Sequence, residues 1–189
     1  MKKINYILAA ILTISSFGTF AQSQKINTEK SIINWLGKKI GGQHEGLINV
    51  KSGELEEKGG KIVSGSFVID MTSITNTDLT DASYNQKLVG HLKSDDFFGI
   101  EKFPTANLNI TKATKFSNGK ASVTGDVTIK GKTETITFDI VKKGNSYSAK
   151  IEIDRSKHDV RFGSTSFFDS LGDKAIDDLF ILDIKLVVS

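Results

Sequence analysis

Three histidines, His44, His91 and His158, carry the widest chemical reach in this chain, and with a carboxylate such as Asp95 they could make up a tetrahedral zinc site. Their spacing argues against it. They stand on three distant segments, and none has a second ligand at the short spacing by which one element templates a metal. Nucleophile signatures are missing: there is no G-x-S-x-G elbow, and the serines of Gly163-Ser164-Thr165-Ser166 have no motif around them. Gly131-Lys132-Thr133 is like the tail of a phosphate loop, yet Asp126 holds the place of the first glycine and the segment reads as a hairpin turn. Asp177 and Asp178 could do acid–base work, but adjacent carboxylates are far more often solvated. These patterns yield no catalytic residue, no metal and no cofactor. An imidazole has another use, because it can donate to a ligand oxygen and still tolerate an apolar wall.

Apolar binding has the better claim. Six of the 12 phenylalanines (Phe97, Phe98, Phe103, Phe162, Phe167 and Phe168) fall in two segments outside the strand-like regions, His91–Pro104 and a long loop from Arg155 to Asp177. Loops rarely carry so much aromatic surface without something to bury it against. Arg155, Lys157, His158 and Arg161 stand in the same late loop and offer donors to an anionic or carbonyl head group. The competing arrangement has the two loops packed on each other with the cations in water.

The elements that must position these residues follow from periodicity. Tyr84, Leu88, His91 and Leu92 recur at helical spacing, which predicts a short amphipathic helix starting near Ser83. Ser94, followed by Asp95 and Asp96, is predicted to cap a second helical turn presenting Phe97 and Phe98, and Pro104 suits the start of a strand. Elsewhere the chain alternates. Ile32–Lys38 contains the single tryptophan, Trp35; His44 shares a face with Ile48 and Val50; and Val63, Phe67, Ile69 and Met71 form the next face. Ser52-Gly53 and Gly59-Gly60 read as punctuation in a charged hairpin region. Further strands are predicted around Leu108, Val127, Phe138 and Ile151, joined at Asn118-Gly119, Gly131 and Gly144-Asn145, with a last strand over Leu179–Val188. The expectation is all-β: a closed eight-stranded antiparallel barrel with a short helical insertion, wide enough to fill itself or to hold one ligand. Gly46, Gly65, Gly125, Ala121 and Ala149 either leave room inside or mark bends.

At 189 residues one domain is expected. Lys2 and Lys3, the apolar run Ile4–Ile14 and Thr19-Phe20-Ala21 have the layout of a secretory signal peptide, with cleavage expected after Ala21, leaving Gln22–Ser189 as a soluble periplasmic or secreted domain. The chain has no cysteine, so neither a disulfide nor a lipid-modified cysteine is available. Loss of Lys2 and Lys3 lowers the formal charge from +3 to +1, and the remaining charges are interspersed, which gives nucleic acid no basic face.

The run His91-Leu92-Lys93-Ser94-Asp95-Asp96-Phe97-Phe98, continuing to Lys102-Phe103-Pro104, resembles the signature of the YceI-like proteins. Similar segments of that family match Gly42-Gln43-His44-Glu45-Gly46, Phe67-Val68-Ile69-Asp70-Met71, Gly125–Gly131, Ile153-Asp154-Arg155-Ser156 and Gly172-Asp173. The resemblance covers essentially the whole of Gln22–Ser189. It implies an extended lipocalin-like barrel whose interior binds a long isoprenoid lipid, of the polyprenyl phosphate or isoprenoid quinone type, without catalysis. On that reading Phe67, Leu88, Leu92, Phe97, Phe98, Phe103 and Phe138 are the candidate apolar wall, and His44, His91, Arg155 and Arg161 the candidate contacts to the head. Transient membrane contact would supply the lipid. The oligomeric state is left open, a homodimer included. Two rival classes are a metal-dependent exported enzyme or stress protein that uses the histidines, and a solid-core barrel acting through its surface.

Overall fold

Alternation of apolar and polar residues produces nine antiparallel strands in the computed structural model, which describes residues 22–189. They are β1 (Gln22–Lys25), β2 (Ile32–Lys39), β3 (Gly42–Lys58), β4 (Lys61–Asp70), β5 (Thr105–Ala113), β6 (Lys120–Ile129), β7 (Lys132–Lys143), β8 (Ser146–Asp154) and β9 (Ile176–Val187). The spatial order β3-β2-β9-β8-β7-β6-β5-β4, with β3 also pairing β4, closes eight strands into the expected antiparallel, lipocalin-like barrel. Closure through β3 and β4 removes the two end edges an open sheet would leave, although β7 and β8 pair over only part of their length. The expected signal segment, residues 1–21, lies outside the described residues. None of the described helices is long and apolar enough to cross a membrane.

β6 shows how the sequence sets the faces: Ala121, Val123, Val127 and Ile129 are buried while Ser122, Thr124, Asp126 and Thr128 stay partly exposed. On the outside, Thr124 and Thr137 (2.9 Å) and Thr128 and Thr133 (2.8 Å) share hydrogen bonds, and the Thr135 hydroxyl donates to Asp126 at 2.6 Å, which fastens β7 to β6.

Two expectations are corrected. Ser52-Gly53 does not end a strand; β3 runs on to Lys58 through a bulge between Val50 and Ser52. Leu55 turns inward and Glu54 outward, so much of the charged stretch is the solvent face of a long strand, with Glu57 near its end half-buried. Its far part pairs on one side with β4 and on the other with β1, whose polar Gln-Ser-Gln-Lys carries no periodic signal and lies in antiparallel register with Glu54–Glu57. Nor does Ser94 start a second helical turn. Helix α1 (Ala82–Lys93) begins where Asp81 accepts from the amides of Ser83 (2.9 Å) and Tyr84 (3.0 Å). Ser94 is extended, and its hydroxyl donates to the His91 carbonyl at 2.8 Å, so it ends α1. A tight turn follows, in which Gly99 N–H bonds Ser94 O at 2.8 Å, and it tucks Phe97 and Phe98 inward.

Candidate functional site: an apolar lumen closed at both ends

The inward faces enclose a cavity of about 150 Å³ and, beside it, a second of about 50 Å³. Phe67, Leu108, Ile151, Ile184 and Leu186 line both, so the two form one elongated lumen with a shared wall. A cavity of about 150 Å³ takes a benzene-sized guest. The lumen as it stands therefore accommodates a short stretch of branched hydrocarbon, and a longer chain requires the walls to yield.

The helical end is roofed by Leu92, Phe97 and Phe98. Phe97 and Phe98 meet edge-to-face at 4.9 Å, and Phe98 meets Phe180 of β9 the same way at 6.4 Å. Beneath lies Trp35, whose indole N–H donates to Thr75 O at 2.9 Å. This arrangement needs a glycine opposite: a Cβ on Gly46 would come 1.9 Å from Thr75 O and 2.8 Å from Trp35 Nε1. The far end is shut by a polar plug. Glu57 accepts from the Lys142 ammonium at 2.5 Å and from the Tyr147 hydroxyl at 2.9 Å, with Phe116 over Tyr147. Burial alone would raise the Glu57 carboxyl. The Lys142 and Tyr147 donors outweigh it and hold the group below its ordinary range.

Arg155, 2% exposed, is the cationic residue of the lumen wall. It is no free donor. Nε bonds Asp177 O (3.0 Å), Nη1 bonds Val160 O (2.9 Å) and Phe162 O (2.8 Å), and Nη2 bonds Ile176 O (3.0 Å). Nη2 also lies 3.2 Å from Asp178 Oδ1, an ionic contact without hydrogen-bond alignment. Arg155 thus pins the late loop to β9.

Of the residues singled out in the sequence, Phe67, Leu92, Phe97, Phe98 and Arg155 line the larger cavity, and Phe67 and Phe138 the smaller. Leu88 packs on the core from outside the lining, and Phe103 lies over Gly131, where a Cβ would be 3.2 Å from its ring. His44 sits at the rim, with Nδ1 2.8 Å from Asp78. Arg161 is exposed and pairs with Asp159 at 2.6 Å. His91 stands behind the roof, its ring centroid 4.3 Å from Phe162 and 5.8 Å from Phe97, with Nε2 buried and unpartnered. Among the described residues no three His, Asp or Glu side chains converge as a metal site would require. Ile33, Trp35, Ile153 and Phe180 also line the lumen without having been singled out as wall. Their signal is the alternation that places Trp35 with Ile33, and Phe180 with Leu182 and Ile184.

Comparison with known proteins agrees with this geometry. A UPF0312 protein of Vibrio campbellii is 31% identical over 145 residues, covering 74% of this chain and 73% of its own. Among solved structures, Burkholderia cenocepacia BcnA superposes with a TM-score of 0.67 at 24% identity, over 87% of this chain and 99% of its own. A polyisoprenoid-binding domain from Saccharophagus degradans does so with 0.59 at 11% identity, over 88% and 97%. At these identities the superpositions speak for the fold. The model of the YceI-like domain matches residues 24–188, nearly all that the structure describes, and the chain belongs to the YceI-like family.

Proposed function

We propose that this protein is an exported carrier that holds the chain of an isoprenoid lipid in its barrel and performs no catalysis. The carrying observation is the elongated apolar lumen, two cavities that share one wall inside the barrel. The barrel it shares with the polyisoprenoid-binding domain of S. degradans supports the choice of ligand, and the basic–apolar–small pattern of residues 1–21 supports a periplasmic or secreted location. Each methylene taken from water contributes about 0.8 kcal/mol, so a few isoprene units offset the immobilisation of a flexible chain.

The wall chemistry favours an uncharged head over a phosphate. Arg155 has its donors committed to backbone carbonyls, so a phosphate drawn inside would be buried with no free cation from the wall to meet it. A quinone carbonyl needs one donor, and His91 Nε2 behind Phe97 is an unspent candidate. The test is titration with a ubiquinone bearing a four-isoprene tail, read by quenching of Trp35, which lines the lumen. Ile151→Phe, filling the wall common to both cavities, should weaken binding at least about tenfold with the barrel folded. Undiminished quenching in that variant would place the ligand elsewhere.

A further inference from the structure

Both ends of the lumen are closed, yet its wall has a long unpaired seam. The strands β7 and β8 are joined by a tight turn and pair only from Ile140–Lys143 to Ser146–Ala149. Beyond that point β7 stays with β6 as far as the Ile129–Lys132 pair, and β8 stays with β9 as far as the Asp154–Leu179 pair. Thr133–Asp139 and Lys150–Asp154 therefore each keep an unused backbone edge. The threonine ladder on the outside of β6 and β7 holds β7 to its other neighbour. Open edges invite pairing with foreign strands, and the exposed Asp139, Lys150 and Glu152 along this one guard against that.

The seam is bounded at its lower end as well. The chain leaving β8 turns back on β7, where His158, 0% exposed, brings Nδ1 to 2.9 Å from Lys132 O and Nε2 to 3.8 Å from Glu134. What remains is a window between two fixed points. On its inner side Ile136 and Phe138 are half-buried, and continuing the β7–β8 register would set them opposite Ile153 and Ile151. Phe138 and Ile151 line the smaller cavity, Ile151 and Ile153 the larger, so the window gives onto the junction of the two.

We propose that this seam is the lateral portal through which the apolar chain enters and leaves the barrel, with Ile136 and Phe138 as its flaps; the inference rests on the lipid-holding reading above. Passage here breaks no strand-to-strand bond. Entry at the helical end must instead unpack Phe97 from Phe98 and open the turn bonds behind them, and entry at the other end must break the Glu57–Lys142 pair.

The native chain has no cysteine, so a Thr137→Cys/Glu152→Cys pair, both exposed and facing across the seam, can be closed and reopened in one preparation. Stopped-flow quenching of Trp35 by the four-isoprene ubiquinone gives uptake and release rates. Oxidation should slow both at least about tenfold with their ratio held, and reduction should restore them. Ile136→Ala, which lines neither cavity, should speed both in proportion and decides the matter if the disulfide does not form. Unchanged rates in the oxidised protein, or an Ile136→Ala variant whose uptake and release rates both stay at the unmodified protein's values, would overturn the portal alone. Absence of quenching in the unmodified protein would overturn the lipid-holding reading and the portal with it.

Discussion

The guanidinium of Arg155 lies 5.5 Å from the centre of the Phe97 ring, so the side chain that fastens the late loop also backs the roof of the lumen. One buried cation joins the two aromatic-rich segments, through backbone carbonyls of the late loop on one side and the ring of Phe97 on the other.

Replacing Arg155 by Met should be among the most damaging changes in the protein. It leaves four backbone carbonyls without their donors and Asp178 without its cation, and removing one partner of such a buried pair costs about 3–5 kcal/mol. Arg155→Lys should rescue little, because an ammonium cannot reproduce the planar fork. Guanidinium denaturation measures both; a loss under about 1 kcal/mol for Met would contradict the clamp.

Gly46→Ala should destabilise by about 1–3 kcal/mol through overpacking, since the new Cβ overlaps Thr75 O and displaces the acceptor of the Trp35 indole. Trp35 emission should shift to the red as the ring loosens. Wild-type emission and stability in this variant would show that the loop from Met71 gives way freely.

The plug at the far end predicts a pH signature. Glu57 has a folded value below its ordinary 4.5, so its contribution is complete above that value and is lost as pH falls through the lower folded one. Glu57→Gln should therefore lose about 1–3 kcal/mol at neutral pH and progressively less as acid is added, the two stability curves converging below pH 4.5. Parallel curves down through that range would show that the carboxylate is not the group responsible.

Strand positions were legible because burial on one face leaves a period of two in β6, β8 and β9, and α1 was legible from its 3.6-residue stripe. Phe97, Phe98 and Phe67 could be assigned to the lumen because bulky apolar residues on inward positions have little else to do. The roles of Arg155 and His158 were not legible: their partners are backbone carbonyls, which every residue carries and no sequence advertises. The seam is equally silent, since β7 and β8 alternate like strands paired along their whole length. Phe103 misled for a related reason, as an aromatic before a proline reads the same whether it faces a lumen or covers a glycine turn.

The central claim is that the lumen holds a lipid, and its most direct test is native mass spectrometry of Gln22–Ser189 exported by a bacterial host, beside a denaturing spectrum and an organic extract. The account predicts one additional mass per chain that leaves on denaturation and extracts as an isoprenoid. Protein that is free of ligand and also refuses added isoprenoid quinone and polyprenyl phosphate would contradict it and leave the barrel as a surface module with an unfilled core.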